Sequence, residues 1–123
     1  LSGAGGWIAS ASELALFVAA INNNPAREDI LSAESISLMT HYSKHSRPIG
    51  WASVTAKEWF RSGSMAGTSA LIKKQRDGYT WIFISNSSSW NGPYLSKRMS
   101  HSISTAISRV KEWPKQNLFD VAI

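Results

Sequence analysis

The side chains in this 123-residue chain that could do chemistry are its many hydroxyls, three histidines and an uneven set of charges; there is no cysteine. The lack of cysteine excludes a disulfide scaffold, thiol catalysis and any Cys-ligated zinc or iron–sulfur centre. His41 and His45 would stand one turn apart on a helix, a weak metal-pair spacing, but their polar and basic surroundings read as a surface loop. His101 stands apart from them, and no carboxylate pair accompanies any of the three at ligand spacing, so no metal is expected. Gly3-Ala4-Gly5-Gly6 is followed by Trp7 and has no lysine partner, so it is not a phosphate loop. No cofactor is expected.

Charge narrows the partners further. The net charge is +5, but residues 1–40 carry −3 and residues 41–123 carry +8. A basic half can meet anionic partners. Here the basic residues are scattered, and the most compact run is Lys73-Lys74-Gln75-Arg76, which reads as a solvated surface. The aromatics, Trp51 and Trp59 among them, fall at core periods, so a base-stacking platform is disfavoured and nucleic acid is not an expected partner. No apolar run approaches the roughly 20 residues of a membrane span.

The elements that would position these groups can be read along the chain. Ser10-Ala11-Ser12-Glu13 is a capping-box pattern, and Leu14, Phe17, Val18 and Ile21 follow at helical spacing, which predicts a helix over 11–22. Asn22-Asn23-Asn24-Pro25 stops it. Ser32 caps a second, shorter helix that turns Ile36 and Met39 inward and fades near His41. Strands are expected over 49–54, 59–64, 68–76 and 79–86. The last contains Trp81-Ile82-Phe83-Ile84, apolar on both faces, as in a central strand covered on both sides. Asp77-Gly78 predicts a two-residue type I′ hairpin turn, and Met65-Ala66-Gly67 a similar short connection. A final helix spans about 94–113, with Leu95, Met99, Ile103, Ala106, Ile107, Val110 and Trp113 on one stripe. Pro114 ends it, and 114–123 reads as a loose tail. The expectation is one α+β domain over 1–123: an antiparallel sheet of three to four strands packed against an N-terminal helix and a C-terminal helix.

Four segments in this order carry a resemblance: Ala4-Gly5-Gly6-Trp7-Ile8-Ala9-Ser10, Ile30-Leu31-Ser32-Ala33-Glu34-Ser35-Ile36, Ile49-Gly50-Trp51, and Arg61-Ser62-Gly63-Ser64-Met65-Ala66-Gly67-Thr68. They resemble the C-terminal part of the serine β-lactamase and penicillin-binding-protein family, in its class C β-lactamase, D-alanyl-D-alanine carboxypeptidase and esterase branch. The resemblance implies a partial β-lactamase-like fold and acyl transfer by an activated serine. Carried over, Ser62 is the strand hydroxyl that binds a substrate carboxylate, Gly63 the gap that admits the substrate, and Ser64 the backbone N–H donor to the oxyanion. Arg61 stands where the family has Lys or His. It keeps the positive charge but cannot share a proton. Trp90, after a serine loop beside the implied cleft, is a further substrate-facing candidate.

The family's nucleophile motif, Ser-x-x-Lys, is missing from its place ahead of these segments. Ser108-Arg109-Val110-Lys111 matches it only formally, on the wrong side of the strand motif, and Ser89-Trp90-Asn91 matches Ser-x-Asn in a loop. The chain begins at Leu1 and is read as the C-terminal part of a longer protein. The resemblance therefore implies a serine hydrolase of amides, lactams or esters that is inactive until an N-terminal part completes it, with a small acyl or peptide-like substrate. The alternative is a non-catalytic module that binds a peptide or protein through an open sheet edge. In the resembled fold the strand equivalent to 79–86 pairs with an N-terminal strand, so here a homodimer or the complementing N-terminal part would cover it.

Overall fold

The structure is a computed structural model and describes residues 5–25, 27–89 and 94–117. Helix α1 (Ala11–Ala19) opens on the expected box. Ser10 Oγ accepts the Glu13 N–H at 3.2 Å, and the Glu13 carboxylate accepts the Ser10 N–H at 2.7 Å. Two of the free N–H groups of the first turn are thereby satisfied. The Ser10 N–H, and then the Ser10 hydroxyl at 2.8 Å, donate to the Glu13 carboxylate and hold it below its ordinary pKa. The helix stops short of the expected residue 22. Ile21 and Asn22 leave it to be buried, and the Asn22 N–H is taken by the Asp29 carboxylate at 3.0 Å.

Helix α2 (Ala33–Thr40) is capped by Ser32 and buries Ile36, as its sequence indicated. Four strands follow in an antiparallel sheet of order β1-β2-β3-β4: β1 (Ser53–Val54), β2 (Glu58–Met65), β3 (Thr68–Gln75) and β4 (Thr80–Ser85). Helix α3 (Tyr94–Arg109) follows. The architecture is α+β with N- and C-terminal helices, as expected. No described helix is long and apolar enough to cross a membrane.

Other expectations need correction too. The strand over 49–54 shrinks to Ser53–Val54, because Gly50 takes φ +78° and the Ile49 N–H is anchored to the Met39 carbonyl at 2.7 Å. The β3–β4 connection is a three-residue loop, 76–78, closed by Gln75 and Tyr79. Gly78 alone has positive φ, +92°, whereas a type I′ turn needs it at Asp77 as well. Helix α3 ends at Arg109, leaving Val110 and Trp113 more than 40% exposed; Trp113 stacks on Tyr79 with ring centroids 4.9 Å apart. Finally, β4 is outermost and β3 is interior. Its two apolar faces reflect helices above and below the sheet, which say nothing about a strand's hydrogen-bonding neighbours.

Alternation along β3 sends neighbouring lysines to opposite faces. Lys73 lies with Leu71 and Trp81 under α3, and its Nζ donates to Ser100 Oγ at 3.3 Å. Lys74 lies on the other face, where α1 packs on β4. Its Nζ donates to the Asn22 carbonyl and sits 4.0 Å above the Trp59 ring. Burial lowers its pKa, partly opposed by Asp29. Both are half-buried, not the solvated run that their sequence suggests.

The core is small. The buried apolar residues described are Val18, Ile21, Ile36, Trp51, Leu71 and Trp81. The chain exposes 9569 Å², against roughly 6500 Å² for a compact monomer of its mass. Trp7 and Ile8, just before α1, are 85% and 98% exposed.

Candidate functional site

The site suggested by sequence lies on the far half of β2. The register between β2 and β3 runs unbroken from Glu58 to Met65. On the outer side of β2, the Phe60 carbonyl accepts the Ala52 N–H and the Glu58 carbonyl accepts the Thr55 N–H, each at 2.9 Å. Along an antiparallel strand the main-chain groups alternate sides. The N–H and C=O of Ser62 and Ser64 therefore face the same outer side as those of Glu58 and Phe60. The register with β1 stops at Phe60. Among the described residues no strand meets Ser62 or Ser64 there, so their main-chain donors and acceptors lie along an open edge.

The side chains sort by the same alternation. Arg61, Gly63 and Met65 share one face, Ser62 and Ser64 the other. Arg61 is exposed and has no ion-pair partner among the described residues. Gly63 has an ordinary φ, and a Cβ built on it would meet nothing within 4 Å. Among the described residues nothing packs closely enough to require a glycine at this position. Ser64 Oγ reaches the Thr68 carbonyl at 3.5 Å, and no partner outside the sheet takes its N–H among the described residues.

Two distant segments converge on the tip of this hairpin. Gly5, at φ +98°, lies so close to Met65 that an added Cβ would sit 2.7 Å from its Sδ, which puts the first resembling segment beside the fourth. The Gly67 N–H donates to Ser88 Oγ at 3.1 Å. Together the hairpin turn and the serine loop line a shallow cavity of about 440 Å³, with Ala66, Gly67, Asn86 and Ser87–Ser89 in its wall. Trp90 lies outside the described residues.

Other candidates are not brought together. Ser108 Oγ donates to the Thr105 carbonyl at 2.9 Å. Lys111 lies beyond the end of α3, so no helical turn holds its amine over Ser108. His41 is the C-cap of α2, and no helix carries it to His45. Among the described residues no three metal-ligating side chains cluster. Sequence reasoning missed the ion pair between Lys73 and Glu58, 2.7 Å apart with the Lys73 side chain 13% exposed. The available signal was the alternation that puts Lys73 on the Leu71 face.

No family model, curated protein or solved structure matches this chain. The site stands on its geometry: an open strand edge with two outward main-chain donors, a neighbouring glycine with free space beside it, and an unpaired guanidinium.

Proposed function

We propose that this chain is the C-terminal portion of a β-lactamase-like serine hydrolase and contributes the wall of the acyl-transfer cleft. The open edge of β2 at Ser62–Ser64, with space beside Gly63, carries this reading. An acyl substrate lying along that edge would direct its carbonyl oxygen at the Ser64 N–H, a fixed donor for the charge that develops on attack. Arg61 would hold an anionic group of the substrate permanently, because a guanidinium stays protonated. Ser62, on the opposite face, would offer its hydroxyl to a different part of the substrate. The nucleophile and its base would come from the N-terminal part, and the large exposed surface is consistent with a fold that needs completing.

The decisive test is the coding sequence upstream of Leu1. A Ser-x-x-Lys followed by a Tyr-x-Asn is expected in frame; an in-frame start with neither overturns the reading. The isolated chain is expected to turn over neither a chromogenic β-lactam nor a p-nitrophenyl ester. Turnover that disappears in Ser108→Ala would restore the C-terminal Ser-x-x-Lys as a nucleophile.

A second reading is favoured by the outer position of β4. By alternation, Thr80, Ile82 and Ile84 direct their main-chain groups away from β3. No described strand covers them, and Ile84 is 38% exposed. Such an edge suits strand addition by a peptide or a second copy. Size-exclusion chromatography with light scattering tests self-association at this edge: a dimer is expected, and a clean monomer at micromolar concentration counts against it.

A further inference from the structure

The sheet face that carries Phe60, Leu71 and Trp81 is only partly roofed. Four strands put about 14 Å between the outer strand axes, while packed helices sit 8–10 Å apart. Helix α3 packs on β3. A trough remains between α3 and β2. It consists of two adjoining cavities of about 600 and 390 Å³ that share Glu58, Lys73 and Ser104. Phe60 lies in its wall.

The trough lining is net basic. Lys73 and Glu58 neutralise each other across 2.7 Å. Asp77 accepts the Tyr79 N–H at 3.2 Å and remains one carboxylate at the turn end of the trough. Against it stand the cations Lys57, Arg76 and Lys97, none with an ion-pair partner among the described residues; His101 adds an imidazole to the wall. Helix α3 contains no Asp or Glu. Ser104 borders both cavities, and its Oγ is buried with no hydrogen-bond partner among the described residues.

We propose that this trough docks an acidic amphipathic helix supplied by a partner polypeptide. A helix fits because the vacant surface is a sheet face, where strand addition is impossible, and because its width beside α3 is that of one more helix. Apolar side chains of that helix would cover Phe60. Its carboxylates would reach Lys57 and Lys97 on the two banks. The inference does not depend on the hydrolase reading.

The test uses the whole chain and a fluorescein-labelled amphipathic peptide of leucine and glutamate, matched to the 16 residues of α3. The controls are the same peptide with lysine for glutamate, and a single-stranded RNA of similar length. Anisotropy titrations are run on the wild type and on Lys57→Glu/Lys97→Glu, two exposed positions where folding is checked by circular dichroism. The glutamate peptide is expected to bind, and the double variant to weaken it by roughly tenfold. Absence of glutamate-peptide binding, equal binding of the lysine peptide, or unchanged binding by the variant overturns the proposal. RNA that binds more tightly than the glutamate peptide and is lost in the same variant also overturns it, and reassigns the trough to nucleic acid.

Discussion

Gly63 and Gly67 stand on one hairpin, and at both an added Cβ meets nothing within 4 Å, yet alanine should act oppositely at the two. At Gly63 the backbone is ordinary strand, in register with Ala70. Alanine there removes freedom from the unfolded chain without straining the folded one, a gain of about 0.4–1 kcal/mol. At Gly67 the same unfolded-state gain applies, but φ is +74°. An L-residue held in that left-handed region costs about 1–2 kcal/mol. The shared entropy cancels in the comparison. Gly67→Ala should therefore be less stable than Gly63→Ala by about 1–2 kcal/mol, with Gly63→Ala at or above wild type. Urea denaturation followed by tryptophan fluorescence measures both, since the chain has six Trp, provided the denaturant slope is unchanged. A destabilised Gly63→Ala, or equal stability of the two variants, would refute the backbone and the open space assigned to β2. The same alanine bears on function. A methyl at Gly63 narrows the proposed substrate gap, so in the completed hydrolase Gly63→Ala should lose activity while keeping its stability.

Other perturbations probe the packing and the charges. Leu71 is 1% exposed at the sheet centre, and Leu71→Ala should cost about 2–5 kcal/mol in the same denaturation assay. Lys74 has a folded pKa below its ordinary 10.5. Between the two values the unfolded chain binds the proton more tightly, so stability should rise as pH climbs towards 10.5. Lys74→Met should remove that rise, seen as urea midpoints compared across alkaline pH. Glu13 has a folded pKa below 4.5. Its contribution is present above pH 4.5 and is lost as pH falls through the folded value. Glu13→Gln should flatten that acid slope in helical circular dichroism.

The parts of the fold legible in sequence are those decided by near neighbours. The caps at Ser10 and Ser32 each bond to the residue three positions on. The β2–β3 and β3–β4 hairpins are tied by short loops, with glycines at the positive-φ positions Gly67 and Gly78. Helix ends were overrun because their stops are tertiary: burial of Ile21 and Asn22 ends α1 before the proline signal is reached. The alternation that sends Lys73 and Lys74 to opposite faces was written in β3. Their burial was not, because it depends on what packs on each face.

Sequence alone determined the α+β order, the strand that carries Arg61–Ser64 and the absence of any thiol chemistry. These follow from side-chain type and spacing along the chain. Only the tertiary structure decided which strand edges are open. It made β4 outermost although its side chains suit a covered strand, and it ended the β1 register at Phe60 so that Ser62 and Ser64 face outward. It also assembled the basic trough from residues of β2, β3 and α3 that lie far apart in the chain. The physical reason is that side-chain polarity records which faces are covered. An edge is a matter of main-chain hydrogen bonds, and every residue type except proline offers the same ones.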